Sequence, residues 1–434
     1  MTLRTRSPLV KPFTRRSLLS GALAASFVSC RKKLIIPDTL FPTGVTAGDA
    51  SADAVLLSTL YRGERPLQLA VYKGSEVIDS RVVPTSDAGF AEVLIEGLLD
   101  DTRYEYVFSE EPDDSARSSV RGRFRTTHPK AAQENVLLGA VSCLRQTNPM
   151  PVMDRVAALD DLHAFLLLGD TVYVDGADTL EEYREKWHEG FTRPPHIAAR
   201  ATQNVIATWD DHEILNDANT ELPSASQLRE ARTSFYERVP TRREAPDRIW
   251  RSVRFGKTVE VLVLDCRGER RPSAHEFISR AQLNWLKSRL ADSDAMFKVI
   301  MSSVPMGQFV GALWAAFAPD RWEGYPHQRE ELLSFIEDHH IPGVLWVSGD
   351  FHLGLIGRLA LQGLGSRALE VLVGPGSSDR NPSPIYPSGP QWDFTTGFNT
   401  YSTLAFDVAE YTVEIDFRDA SDRVLFKKRY PLGP

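Results

Sequence analysis

The strongest constraint on the fold of this chain is a pattern that recurs through its second part. Apolar runs of strand length end abruptly in acid, imidazole, thiol or phenol side chains. VLLGAVSC ends at Cys143, AFLLLGD ends at Asp170 with Tyr173 just beyond, and NVIATWDDHE ends at Asp210, Asp211, His212 and Glu213. VEVLVLDCR ends at Asp265 to Arg267, KVIMSSVPMGQ near Ser303 and Gln308, and GVLWVSGDFH at Asp350 and His352. Helical patterns lie between the runs, in PVMDRVAALDDL, AQLNWLKSRL and REELLSFIEDHH; Leu283, Leu286 and Leu290 share one face. Strands alternating with helices predict an α/β domain. In such sheets ligands bind at the carboxyl ends of the strands, where these polar residues gather. Gly169 and Gly349 precede Asp170 and Asp350, so the backbone can turn sharply and push each carboxylate into a crevice.

The segment VIATWDDHEILND, Val205 to Asp217, poses the electrostatic problem most sharply. Charges are costly to bury and repel at short range, so either water solvates this cluster or a cation holds it together. Carboxylates, imidazole, thiolate and phenolate in one set suit a transition-metal site better than a calcium loop alone. A bound metal lowers the pKa of water to about 7, and two ions about 3.5–4 Å apart can share a hydroxide. A bridging carboxylate is then required, and Asp170 is the candidate.

The N-terminal stretch predicts export. MTLRTRSPLVKPFTRRSLLSGALAASFVSC, residues 1–30, runs from basic residues through a short apolar stretch to small residues and Cys30. That stretch is about half the ~20 residues needed to span a bilayer; the order is that of a bacterial export signal. Arg15 and Arg16, with Leu18 and Leu19 behind them, resemble the twin-arginine type. FVSC resembles a lipoprotein cleavage site, so lipid attachment at Cys30 stays open. Export places the protein in the periplasm, at the cell surface or outside, with membrane contact only through the signal or a lipid anchor. The formal charge of -8 is mild, and no basic stripe suggests a nucleic-acid patch. A Cys143–Cys266 disulfide is allowed in an oxidising compartment. Without a Cys-rich framework, a metal ligand is the sharper reading for Cys143, and a small core residue for Cys266.

From Phe41 to Thr127 the period is two. AEVLIEGL, RYEYVFS and SVRGRFRT alternate apolar and polar residues between Gly, Pro, Asp and Ser. This predicts an all-β sandwich over residues 38–128, resembling fibronectin type III and Ig-like domains, with Tyr104 as its corner tyrosine. It is expected to cover or space, not to carry chemistry. HPKAAQE reads as a linker, and the catalytic domain is expected over residues 134–434.

SCLR, LLLGDTVYVDG, TWDDHEILND, LDCRGER, DRWEGYPHQREELL and VSGDFH occur in that order. Together they resemble the PhoD-type alkaline phosphatases and phosphodiesterases of the calcineurin-like metallophosphoesterase superfamily. The resemblance runs from about residue 38 to the C-terminus and implies a β-sandwich core flanked by helices. It implies a ferric ion, Fe(3+), held by Cys143, Tyr173 and His352, with Asp170 bridging to a second site. Asp211 and Asp350 would hold the second metal; an oxygen-rich site favours Ca(2+) or another divalent ion. His212 would act as general acid or phosphoryl stabiliser. The implied activity is an exported phosphatase or phosphodiesterase using metal-bound hydroxide on small-molecule or lipid phosphate esters and diesters. The twin-arginine export machinery would be its partner.

The sequence departs from relatives after Tyr173, where VDG stands and Asp175 is the nearest acid. Relatives commonly continue past the last strand with a covering helix; this chain ends after RVLFKKRYPLGP, so a more open site is expected. A phospholipase D-like phosphodiesterase would keep the same catalytic residues, and a non-catalytic surface binding protein would keep only the scaffold. A two-carboxylate glycosidase would need no Cys, Tyr or His ligand.

Individual side chains have alternatives. Asp210 is read as a metal ligand or the partner of a basic neighbour, and Glu213 as an orienting carboxylate. Asn216 either ligates a metal or, with Asp217, caps the following helix. Arg267 either clamps phosphate catalytically through its planar fork or forms a structural ion pair. His339 and His340 end a helix, where the dipole favours a cation, and His163 is read as structural. The loop Arg321 to Gln328 either walls the pocket or steadies the adjacent helix.

Overall fold

Val136–Val141, Ala164–Leu168 and Asn204–Thr208 pair in parallel, and their alternate side chains are buried on both faces. Leu138, Leu166 and Ile206 point to one core, while Val141, Phe165 and Ala207 point to another. Burial on both faces explains why these strands read as continuous apolar runs. In this computed structural model, residues 39–433 are described except 112–116, 310–313, 315 and 382–385. The signal-like residues 1–30, with Cys30, lie outside the described residues. Among the described residues no helix is long and apolar enough to cross a membrane.

The three strands sit in a nine-stranded sheet. Its order is Val424–Pro431, Thr412–Asp419, Thr400–Asp407, Val136–Val141, Ala164–Leu168, Asn204–Thr208, Val45–Gly48, Ala54–Leu60, Phe90–Glu96. A seven-stranded sheet packs against it, in the order Arg251–Phe255, Val259–Val263, Phe297–Met301, Val344–Ser348, Leu369–Leu372, Gly354–Arg358, Trp392–Thr396. Leu138, Leu166, Val261, Val299 and Leu345 meet in the core between them. Each such side chain, fully buried, stabilises the fold by about 1.5–3 kcal/mol. Helices cover both outer faces. Leu180–Phe191 and Ala225–Arg238 pack through Tyr183, Trp187 and Phe235 on one. Arg280–Asp292 and Pro326–Asp338 pack through Leu283, Leu286, Leu290 and Leu332 on the other. The expected sandwich core flanked by helices is the observed architecture.

The N-terminal strands are more entangled with this body than a free-standing module would be. A four-stranded sheet, Glu76–Val83, Leu67–Lys73, Arg103–Ser109, Gly122–Arg125, shares a core with Val45, Val55 and Ile95 of the facing strands. Those facing strands belong to the nine-stranded sheet, because Ala47 and Gly48 pair in parallel with Asn204 and Val205. A buried ion pair between Asp49 and Arg251 (2.5 and 2.8 Å) ties them to the second sheet. Tyr104 lies over Phe124 with ring centroids 5.3 Å apart, and its hydroxyl accepts the Leu99 N–H at 2.9 Å. The segment read as a linker is a docked turn, in which Ala132 N–H donates to Pro129 and Lys257 N–H donates to the Ala132 carbonyl.

Candidate active site

At the carboxyl ends of the parallel strands four side chains project from backbone in the left-handed region. Cys143, Asp170, Asp350 and His352 have φ of 56°, 54°, 72° and 49°. That conformation is disfavoured for residues with a Cβ and clusters where function holds it. The glycines before the two aspartates act differently. Gly169 has φ of 85°, and a Cβ there would lie 2.4 Å from Asp210 Cβ. Gly349 has no such dihedral; a Cβ there would lie 2.7 Å from Ser142 Cβ and 2.9 Å from the Leu168 carbonyl. Gly169 supplies both the turn and a close approach, Gly349 the close approach alone.

Two adjoining clusters result. Donor atoms of Cys143, Asp170 and His352 lie within 4.8 Å of one another, and so do those of Asp170, Asp210, Asp211 and Asp350. Asp170 is common to both. The Tyr173 hydroxyl joins the first cluster, 3.2 Å from Asp170 Oδ2, 3.0 Å from His352 Nε2 and 2.8 Å from Ser378 Oγ. Asp170 Oδ1 is buried without a hydrogen-bond partner. The expected site residues Cys143, Asp170, Tyr173, Asp211, Asp350 and His352 are therefore brought together.

The electrostatics are those of a site short of positive charge. Burial raises the pKa of Asp170 well above the carboxylate range; His212 opposes this, and Asp211 and Asp210 add to it. Asp350 is raised by burial and by Asp210, against Arg267. Burial, then Asp170, raises the Cys143 thiol, and the same two causes raise the Tyr173 phenol. Burial lowers His352 to about 4, with help from His212 and Arg145.

His212 stands beside this cluster. Its ring lies against Tyr173, centroids 4.0 Å apart, and its Nδ1 is 2.7 Å from Asp175 Oδ2. Burial disfavours its charge, yet Asp170 and the Asp175 hydrogen bond outweigh burial and raise its pKa to about 10. Asp175, the acid displaced from the usual position after Tyr173, thus orients His212 and also accepts the Asn216 N–H at 2.9 Å.

Other expectations are corrected. Arg267 is fully buried and cannot clamp a substrate; the ion-pair alternative is the one observed. Its fork meets Asp210 at 2.7 and 3.1 Å and Asp320 at 2.5 and 3.0 Å. Asp210 accepts from Arg267 and from Ser303 Oγ at 2.6 Å, so its oxygens are already engaged. Glu213 is an orienting carboxylate. It accepts the N–H groups of Asp170 (3.0 Å) and Asp210 (2.8 Å), and that of Thr171. Asn216 and Asp217 do not cap the next helix, whose cap is Ser224; both are exposed, and Asp217 N–H donates to Asp211 Oδ2 at 2.6 Å. Cys143 and Cys266 are free, so the allowed disulfide does not form.

Several contributors are not among the residues the sequence singles out. Gln146 brackets the Tyr173 backbone, accepting its N–H at 3.0 Å and donating to its carbonyl at 2.8 Å. Arg145 lies over the Tyr173 ring at 4.3 Å. Ser378 arrives from the irregular GPGSSDRNPSPIYPSGP loop, and Asp320 from a short 3-10 turn. Asp101, His128 and His163 also gather within 4.8 Å. There His163 Nδ1 accepts the Leu137 N–H at 3.1 Å, which leaves the ring proton on Nε2 and fits the structural reading.

Two facing sheets flanked by helices, with a thiol, a phenol, imidazoles and carboxylates converging at one sheet edge, define a class of chain built around a candidate two-metal centre. The sequence carries the assignment further. A family model described as PhoD-like phosphatase matches residues 138–391, more than half of the 434 residues, and the chain belongs to that family. Alkaline phosphatase D of Bacillus subtilis (strain 168) is 25% identical over 379 residues, covering 72% of this chain and 64% of that relative. The match thus spans less than two thirds of the relative's length. The solved structure of PhoD superposes with a TM-score of 0.79 at 20% identity, covering 91% of each chain. Purple acid phosphatase PPD1 from yellow lupin (Lupinus luteus) seeds gives a TM-score of 0.65 at 12% identity, over 89% of this chain and 73% of that one.

Proposed function

We propose that this chain is an exported, metal-dependent phosphoric ester hydrolase acting on phosphate mono- or diesters. The observation that carries the reading is the pair of clusters sharing Asp170, whose Oδ1 is buried with no partner. Cations would fit this donor set. One phenol proton cannot serve Asp170, His352 and Ser378 together, and Ser378 Oγ also lies 2.9 Å from the Cys143 carbonyl oxygen, its own acceptor. In this reading Cys143, Tyr173 and His352 would hold a ferric ion, Asp211 and Asp350 would hold calcium or another hard divalent ion, and Asp170 would serve both. When bound, such ions neutralise phosphoryl charge and make water nucleophilic at neutral pH.

The chain's own groups supply the rest. Asp175 holds His212 Nδ1, which leaves Nε2 to hydrogen-bond a phosphoryl oxygen or to protonate the departing alkoxide. Bound cations would cancel much of the Asp170 field and bring the imidazolium nearer the range of a useful acid. Glu213 fixes the backbone on both sides of the site, and Arg267 holds Asp210 in place beneath it. The names of the family and of the two phosphatase relatives support this reading, as does the twin-arginine-like signal at residues 1–30. We extend it to an Ig-like covering layer over residues 38–128.

The direct test is hydrolysis of p-nitrophenyl phosphate and its bis-ester before and after chelation. Activity should vanish with the metals and return when iron and a divalent ion are restored; chelator-resistant turnover would refute the proposal. His212→Ala should slow esters with poor leaving groups most, which a leaving-group series reads directly. An equal loss across the series would argue against proton donation. The metal-loaded protein should show a visible phenolate charge-transfer band that Tyr173→Phe removes; a band untouched by that substitution means Tyr173 is not on iron.

A further inference from the structure

Beside the candidate centre a half-buried cation stands without a counter-ion. Arg145 lies two residues beyond Cys143, and its backbone is fixed. Its carbonyl accepts Ser377 Oγ at 3.2 Å and the Asn148 N–H at 3.1 Å. Its side chain crosses the Tyr173 ring, with the guanidinium carbon 4.3 Å from the centroid; the His212 ring lies 4.0 Å from the same centroid. Groups of that size cannot share one face at those distances, so the phenol is held between Arg145 and His212. Among the described residues no group bonds to or pairs with Arg145 Nη1 or Nη2. Unlike the enclosed Nε, both keep contact with solvent. The nearby acid, Asp175, is already engaged by His212 Nδ1 at 2.7 Å and the Asn216 N–H at 2.9 Å. The charge of Arg145 is felt at Tyr173, His352 and Asp175, which places it at the Cys143, Tyr173 and His352 end of the centre.

The balance of charge gives such a cation a task. As anions, Cys143, Asp170, Tyr173, Asp211 and Asp350 would just balance a ferric and a divalent ion. Asp210 is matched by Arg267, and Asp175 by His212 when that imidazole is protonated. Within this balance Arg145 is the surplus cation. A phosphate monoester carries about −1.5 to −2 charge at pH 7. A diester carries a single charge and has one terminal oxygen fewer. A guanidinium with accessible N–H donors in a planar fork matches terminal phosphoryl oxygens, and its attraction grows with the charge they bear.

We propose that Arg145 binds the phosphoryl group of the substrate and shifts the preference of the site toward phosphate monoesters over diesters; this rests on the metal-dependent hydrolase reading above. The test is steady-state hydrolysis of p-nitrophenyl phosphate and its bis-ester by the metal-loaded full chain, with inorganic phosphate as competing ligand. Arg145→Gln should lower the monoester-to-diester ratio of kcat/KM about tenfold, mainly through a higher KM for the monoester. Inhibition by inorganic phosphate should weaken by a similar factor. Arg145→Lys keeps the charge but loses the fork, and should recover part of both effects. The iron content of both variants should match the parent. If Arg145 only steadied the phenol, Arg145→Gln would lose iron and slow both esters alike. That pattern, or an unchanged ratio with unchanged phosphate inhibition, would overturn the proposal and leave the hydrolase reading standing. A parent protein without chelator-sensitive hydrolysis of either ester would remove both.

Discussion

Asp170→Ala is expected to abolish ester hydrolysis and empty both metal positions, while the far-ultraviolet circular dichroism stays nearly unchanged. The expectation rests on position. Asp170 is the one carboxylate common to both donor clusters, and its Oδ1 has no protein partner to lose. Metal ions supply several kcal/mol of charge stabilisation, so their loss corresponds to about a thousandfold or more in rate. Alanine also meets a backbone with φ of 54°, which it tolerates less well than aspartate or asparagine. Asp170→Asn separates the causes, because it keeps the shape and the turn and removes the charge. Elemental analysis and turnover of both variants give the answer. Asp170→Asn with full metal content and full activity would remove the bridging assignment.

The second large effect falls on stability. Arg267→Met should destabilise the protein by about 3–5 kcal/mol, because removing one partner leaves buried carboxylates uncompensated. Asp210 and Asp320 lose their bidentate partner, and Asp211 and Asp350, at 3.8 and 3.7 Å, lose a nearby cation. Arg267→Lys should recover little, since an ammonium cannot reproduce two parallel hydrogen bonds to each of two carboxylates. Urea unfolding midpoints of metal-free protein measure this. A midpoint within experimental error of the parent would mean that the acidic cluster does not depend on Arg267.

Much of the site was legible because its parts are local. An apolar run of strand length followed by Cys143, by Gly169-Asp170 or by Gly349-Asp350 states its own role, since a strand buried on both faces reads as a near-continuous apolar run and polar residues gathered at its end stand out. Division of labour within a run was not legible. Asp210 and Asp211 are neighbours, yet Asp210 faces Arg267 and Ser303 while Asp211 anchors the turn through His212 and Asp217. The short 3-10 turn Asp211–Glu213 rotates successive side chains in different directions, and while Asp211 is bound locally, His212 and Glu213 find partners in the distant segment Asp170 to Asp175. Asp175 looked like a displaced acid and proved to be the orienting partner of His212.

The sequence by itself determined the donor set, the alternation of strands and helices, and the edge of the sheet where chemistry could collect. Those follow from side-chain chemistry and hydrophobic period, which act over a few residues. Only the tertiary structure decided that Arg267 is an internal counter-ion, that Ser378 reaches Tyr173, and that the N-terminal strands extend the larger sheet through Val45–Gly48. Each of these depends on hydrogen bonds between segments tens to hundreds of residues apart, and no local pattern encodes which distant group completes a buried charge.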